Sequence, residues 1–197
     1  MATHPQTATI SLEDFIAAAE ATHERLEFVD GQIVAMAGAS LEHGLISQKI
    51  AFSLGLQLRG RACSVVSQGT LVAAPGSDDS YLPDVAVFCG APQRERIRGT
   101  DLLRNPVVLV EVLSRSTADY DHGRKWFSYR QIPALQDYLL VAQDQPRVER
   151  YTRHGEHFWH YNETLGLIGE VRLESLNVSL SMAEIYEGVF TADQPSA

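Results

Sequence analysis

The chain has 197 residues, 45% of them hydrophobic and 21% charged, with a formal net charge of −9. That size suits one domain with a sizeable core, and the composition is that of a soluble globular protein. The acidic balance argues against an extensive nucleic-acid-binding surface, although the local field at a site decides binding more than the sum does. No apolar stretch approaches the roughly 18–20 residues needed to span a membrane.

The polar start, Met1 to Ser11, lacks the basic and apolar regions of a secretory signal. Residues 1–10 and 191–197 read as disordered ends around a single domain over 11–190. Ser11 with Asp14 resembles a capping box opening a helix from Leu12 to Ala21. Leu26–Val29 and Gln32–Met36 flank Asp30-Gly31, the strongest two-residue hairpin signal in the chain. Ser40 then caps a helix from Leu41 to about Leu58, with Leu45, Ile46, Ile50, Leu54 and Leu58 on its apolar face and Gly60 as a stop.

Ala62–Ser67 and Thr70–Ala74 read as two strands joined at Gln68-Gly69. Leu82–Phe88 is a strand entered through Pro83-Asp84, and residues 90–106 read as a polar, arginine-rich connection. Val107–Leu113 is a strand. A helix is expected from about Tyr120 to Gln131, ending before Pro133. Asp137–Gln143, Arg147–Arg153, His157–Tyr161, Glu170–Leu173 and Asn177–Leu180 complete the strands, and Ser181 with Glu184 opens a last short helix. This order predicts an α/β fold with a central mixed sheet flanked by helices, an N-terminal hairpin and additional C-terminal strands.

Cys63 and Cys89 form no motif and read as buried thiols of a reducing compartment, which places the protein in a cytoplasm with no membrane association.

One residue breaks the logic of its surroundings. Glu111 stands inside Val107-Val108-Leu109-Val110-Glu111-Val112-Leu113, a run with the character of a central strand buried on both faces. An isolated carboxylate there costs several kcal/mol, by order of magnitude, unless it is paired, hydrogen-bonded or metal-bound. Asp84, at the start of the preceding strand, supplies a second carboxylate, and the Val112 carbonyl a further oxygen. Mg²⁺ takes hard oxygen ligands of this kind while retaining several waters. Lys125, on the following helix, suits a developing negative charge or an attacking water. Glu27 in the first hairpin is a further acid candidate, and His43 lies in the first turn of the long helix.

Each has a plainer reading: a strand-entry turn for Asp84, a buried ion pair for Glu111, a surface i,i+4 pair with Asp121 for Lys125, a solvated strand face for Glu27, a helix-cap or packing residue for His43. The ordered combination favours the metal site.

Pro83-Asp84, then Glu111-Val112-Leu113-Ser114, then Asp121 and Lys125 with Tyr129, resembles the Uma-two family of restriction-endonuclease-like proteins within the PD-(D/E)XK nuclease superfamily. The likeness runs from Glu27-Phe28-Val29-Asp30-Gly31 through His43 to Tyr138-Leu139-Leu140-Val141 and Val148-Glu149-Arg150-Tyr151. The resemblance implies a restriction-endonuclease-like core and a Mg²⁺- or Mn²⁺-dependent endonuclease acting on DNA. Asp84 and Glu111 would be metal ligands together with the Val112 carbonyl, Glu27 would assist, and Lys125 would be catalytic. Two residues after Glu111, where the superfamily carries lysine, stands Leu113, and Lys125 takes its place. Arg115 stands where the family often has proline, and Ala142 where aspartate is common.

The alternatives are a catalytically inert nuclease-fold module that binds nucleic acid or protein, and a metal-dependent hydrolase for another substrate. Arg94, Arg96 and Arg98, with His43, are the candidates for nucleic-acid contact. A homodimer is expected by analogy with paired nuclease domains, with the strands after Arg147 offering an edge for pairing.

Overall fold

The structure is a computed structural model, and it describes residues 9–22, 24–36, 38–67, 69–114 and 117–190. Of the expected disordered ends only Thr9 and Ile10 fall among them, and the Ile10 N–H donates to the Gly31 carbonyl. Arg115 also lies outside the described residues.

Helix α1 (Leu12–Ala21) begins on the predicted capping box: the Ser11 hydroxyl accepts from the Asp14 N–H and the Asp14 carboxylate reaches back to the Ser11 N–H. Strands β1 (Leu26–Val29) and β2 (Gln32–Ala35) form the predicted hairpin. Asp30 and Gly31 both take positive φ, 51° and 73°, as a tight hairpin turn of this hand requires. Gly31 also faces Thr9 so closely that an added Cβ would sit 2.8 Å from the threonine Cβ. Alternation along β1 sends Leu26 and Phe28 against α1, and Glu27 and Val29 toward the opposite side.

Helix α2 (Leu41–Gln57) starts at Ser40, whose hydroxyl accepts from the His43 N–H. Its buried stripe is His43, Ile46, Ser47, Ile50 and Leu54. Leu45, expected on that face, is only half-buried. Strand β3 (Cys63–Ser67) then joins the central sheet, whereas β4 (Leu71–Val72) leaves it to pair with a second, three-stranded sheet. Strand β5 (Val85–Cys89) follows.

The segment 90–106, expected as a connection, is instead a hairpin: β6 (Arg94–Ile97) and β7 (Thr100–Leu103), turning at Arg98-Gly99 with φ of 50° and 101°. Strand β6 is largely exposed and carries Arg94, Glu95 and Arg96, so no apolar alternation marks it in the sequence.

Strand β8 (Val108–Leu113) is buried throughout. After it come α3 (Ala118–Tyr120), a π-helical segment (Asp121–Lys125) and α4 (Trp126–Tyr129), without a break. Strands β9 (Asp137–Ala142), β10 (Arg147–His154), β11 (Phe158–Leu165), β12 (Glu170–Leu173) and β13 (Val178–Ser181) precede the short helix α5 (Met182–Ile185).

The central sheet runs β11-β10-β9-β8-β5-β3. It is mixed, because β8 and β9 are parallel and the other pairs antiparallel. The parallel pair is the one joined by a helix, as a crossover requires. Even-numbered residues of β8 (Val108, Val110, Val112) pack with Ile46, Ile50 and Leu54 of α2. Its odd-numbered residues Leu109 and Leu113 pack with Tyr129 and Tyr138 on the other face. Glu111 belongs to this second face by the same alternation, under the helix that carries Lys125.

Cys63 and Cys89 sit opposite each other on β3 and β5 and are joined in a disulfide. They were expected as free thiols, and the redox argument for a cytoplasm loses its basis. The sequence separation concealed the pairing, which register alone creates. Among the described residues no helix is long and apolar enough to cross a membrane.

With the two cysteines 26 positions apart, loss of the crosslink in a Cys63→Ser/Cys89→Ser variant should lower the unfolding free energy by about 3.5 kcal/mol. Alkylation of unreduced, denatured wild-type protein should leave its mass unchanged; two alkyl groups would contradict the bond.

Candidate active site

Four elements meet at a narrow cleft of about 120 Å³, lined among others by Arg25, His43, Asp84, Glu111, Val112, Asp121 and Lys125. Strand β1 contributes Glu27 from its inward face. The turn before β5 contributes Asp84, β8 contributes Glu111, and the π-helical segment contributes both Asp121 and Lys125. A π-helical turn set into a helix is a distortion that recurs at functional sites.

Lys125 is 1% exposed. Its Nζ lies 3.0 Å from Glu27 Oε1, 3.1 Å from Glu111 Oε1 and 3.3 Å from Asp121 Oδ1. The plain reading of Lys125 as half of a surface i,i+4 pair therefore fails: the Asp121 contact exists, but inside the protein. Glu27, whose plain reading was a solvated strand face, is fully buried. Its Oε1 also accepts from the Leu82 N–H at 2.9 Å, and its Oε2 from the Tyr120 hydroxyl at 3.1 Å. Glu111 Oε1 accepts from the Tyr129 hydroxyl at 2.9 Å. Glu111 thus does stand in a buried ion pair, its plainer reading, and its partner is Lys125.

Asp84 is held from the other side. Its Oδ2 accepts from the Val112 N–H at 2.8 Å and lies 3.1 Å from His43 Nε2, and Arg25 Nη2 approaches Oδ1 at 3.5 Å. Because N–H and C=O of one strand residue project from the same edge, the Val112 carbonyl faces this side too. Among the described residues, His43 Nδ1 and Arg25 Nε are buried without a hydrogen-bond partner.

The charges are unbalanced. Burial pushes the Glu111 carboxyl well above its ordinary range; Lys125 opposes this, while Asp121, Asp84 and Glu27 reinforce it. Burial raises Asp121 as well, against the pull of Lys125 and of a Thr117 hydrogen bond. Burial acts upward on Asp84 too, but the His43 contact, the Val112 N–H and Arg25 outweigh it and leave the group lowered. For Lys125, burial acts downward and is overcome by Glu111, Glu27 and Asp121, so the ammonium stays charged.

Four buried carboxylates around one buried lysine leave negative charge to spare, and hard oxygen donors in that state suit a divalent cation. Among the described residues no three histidine, cysteine, aspartate or glutamate side chains already converge on one point. Two carboxylates, a carbonyl and retained waters are nevertheless a sufficient set for Mg²⁺.

Asp84, Glu111, Lys125 and Glu27, all selected from the sequence, are thus brought together, with His43 beside them. Arg94, Arg96 and Arg98 are not. They lie on or beside β6, near Asp101 and Glu20, and none lines the cleft. Sequence reasoning overlooked Arg25 and Tyr120 and gave no role to Asp121 or Tyr129. Asp121 and Tyr129 flank Lys125 at four-residue spacing, which was the available signal. Arg25 and Tyr120 carry none.

In metal-free protein the pH dependence should follow these shifts. Glu111 and Asp121 hold protons in the folded state at pH values above their ordinary 4.5 and 3.8, so stability falls as pH rises through that window. Asp84 acts oppositely: its contribution is present above 3.8 and lost as pH falls through its lowered value. Thermal unfolding in EDTA should therefore show higher stability near about pH 5.5 than near about pH 8, and Glu111→Gln should flatten the difference. Stability that climbs from the lower to the higher pH with equal slope in both proteins would contradict this.

Residues 12–183 match the Uma2 family, described as a putative restriction endonuclease. Two uncharacterised proteins of Synechocystis are similar along most of their length. One (slr1290) is 31% identical, with 91% of this chain and 93% of the relative covered. The other (sll1609) is 30% identical, with 87% and 97% covered. Among solved structures, a putative nuclease belonging to DUF820 from Anabaena variabilis superposes with a TM-score of 0.73 at 18% identity, over 92% of this chain and 99% of the other. The fold expected from the sequence, a mixed sheet flanked by helices in a restriction-endonuclease-like arrangement, is therefore the fold observed. The family match over residues 12–183, most of the chain, makes this protein a member of the Uma2 family, described as a putative restriction endonuclease.

Proposed function

We propose that this protein is a Mg²⁺- or Mn²⁺-dependent endonuclease that hydrolyses DNA phosphodiester bonds in the Lys125 cleft. The observation that carries the reading is the buried cluster of Glu27, Glu111, Asp121 and Lys125 opening beside Asp84. A structural ion pair needs one acid for one base; this site keeps an excess of acids, and Asp84, Glu111 and Asp121 among them line the cleft.

Asp84, Glu111 and the Val112 carbonyl would hold the cation, with Glu27 in support. The bound cation would supply neutralisation of the phosphoryl oxygens and a lowered pKa for an attacking water. The chain's own residues set up the rest. Tyr129 and Lys125 fix the Glu111 carboxylate; His43, Arg25 and the Val112 N–H fix Asp84. Lys125 places an ammonium where charge develops on the attacked group or where a water must be oriented.

Leu113, at the position where the superfamily has its lysine, is buried on the same face as Glu111. Lys125, whose long side chain reaches Glu111 from the adjacent helix, is the residue we infer to serve in its place. Arg25, partly exposed at the cleft and with an unsatisfied Nε, is the cation placed to take a substrate phosphate through its planar fork.

A second reading, an inert nuclease-fold module, is favoured by one observation: Lys125 is almost sealed from solvent and engaged by three acids.

Cleavage of supercoiled plasmid and of single-stranded DNA with Mg²⁺ or Mn²⁺ separates the two. Wild type should cut. Glu111→Gln, Asp84→Asn and Lys125→Ala should each lose roughly a hundredfold or more, the scale of removing a preorganised charge from an active site. Cutting retained in Glu111→Gln would refute the site; no cutting by the wild type would favour the module. Arg25→Gln should raise KM about tenfold with little change in kcat, as expected for a lost phosphate contact of about 1.4 kcal/mol. An unchanged KM would remove Arg25 from substrate binding.

A further inference from the structure

Helix α2 has two apolar faces. One, with Ile46, Ile50 and Leu54, is buried in the core. The other looks outward: Leu41 is 73% exposed, Phe52 71% and Leu56 53%. Leu45 is half-buried between them. Leu45, Lys49, Phe52 and Leu56 line a shallow groove of about 580 Å³, walled on the other side by Glu184 and Glu187. Single exposed apolar residues need no explanation, but a stripe of four on one helix marks an interaction surface.

The spacing of the stripe indicates its occupant. On α2, Glu42, Leu45, Lys49, Phe52 and Leu56 recur at alternating intervals of three and four residues, the seam of a helix pair, and Arg59, two residues past the helix end, continues the spacing. The seam is also complementary to itself when reversed. Laid antiparallel on a second copy, it sets Glu42 against Arg59 at both ends, Leu45 against Leu56, and Lys49 against Phe52 on either side of the centre. An isologous two-fold contact demands this reciprocity, in which residue i meets j and j meets i. The charges agree with it. Opposite charges meet at the ends, and the Lys49 ammonium in the middle is already answered by Glu187 at 2.6 Å. That leaves the lysine stem free to lie along an aromatic ring. The terminal sequences MATHPQTA (1–8) and TADQPSA (191–197) are dominated by small and polar side chains, ill matched to an apolar stripe.

We propose that this outward face of α2 is a homodimer interface, with two copies packed antiparallel about a two-fold axis near the middle of the helix. The β11 edge, with exposed Phe158, Tyr161 and Leu165, is the competing surface.

Light scattering on the eluting full chain, over a range of concentrations, tests this. The expected species has about twice the 21.8 kDa of the chain. Phe52→Glu should raise the dimer dissociation constant roughly tenfold or more, since it buries a charge in the seam. Glu42→Arg and Arg59→Glu should each weaken the dimer, and the two together should restore it. All these positions are exposed, so circular dichroism should show an unchanged fold; the charge swap reads the interface even if Phe52→Glu unfolds. A monomer at every concentration, a dimer indifferent to Phe52→Glu, or a swap that fails to restore association would each overturn the proposal.

Discussion

A buried ammonium surrounded by carboxylates is the interaction on which the rest of this structure depends. Lys125 is almost without solvent contact and has three acidic neighbours between 3.0 and 3.3 Å. Removing a charged group from water costs several kcal/mol, and attraction to a partner recovers it only if geometry and hydrogen bonding are good. Here the recovery runs in both directions. Lys125 makes Glu27 and Glu111 tolerable inside the protein, and they keep it charged. With Asp121 and Asp84 added, the acids outnumber the bases, and the surplus appears as the raised Glu111 and Asp121 carboxyls. A fold selected for stability alone would place apolar side chains there, and retention of the surplus is what supports the proposed site.

The architecture explains how so many charges reach one point without disrupting the core. The sheet is covered on both faces, so alternation along β8 separates an α2 layer from a layer under the helix of Lys125. Only Glu111 departs from apolar character in β8, and it does so on the second layer. Hydrogen bonds from fixed groups, the Val112 and Leu82 N–H groups and the Tyr120 and Tyr129 hydroxyls, then lock the Asp84, Glu27 and Glu111 carboxylates. Positioning by backbone and buried tyrosine gives a rigid constellation, as catalysis by preorganised charge requires.

The legible part of this arrangement was whatever broke a local rule. Glu111 in an apolar strand, Asp84 behind a proline and Lys125 on the next helix all stand out in the sequence, and the structure gathers them. Asp30-Gly31 and the Ser11 and Ser40 caps were equally plain because short-range chemistry fixes them. What stayed hidden depends on tertiary contact. Strand β6 of the β6–β7 hairpin is largely exposed and has no apolar period. Cys63 and Cys89 become partners only through the β3–β5 register. Arg25 and Tyr120 look like any surface arginine or helix tyrosine until the chain folds. The arginines of β6 attracted notice by composition, yet lie beside their own carboxylates and away from the cleft.

Divalent-cation binding by the acid surplus around Lys125 is the property from which the proposed function follows. Titration of metal-free protein with Mn²⁺ in a calorimeter, wild type against Glu111→Gln and Asp84→Asn, addresses it without reference to any substrate. The account predicts saturable binding by the wild type that weakens in both variants while their folds persist. Wild-type protein that binds no cation, or variants that bind as well as wild type, would show that the carboxylates serve only to hold the lysine.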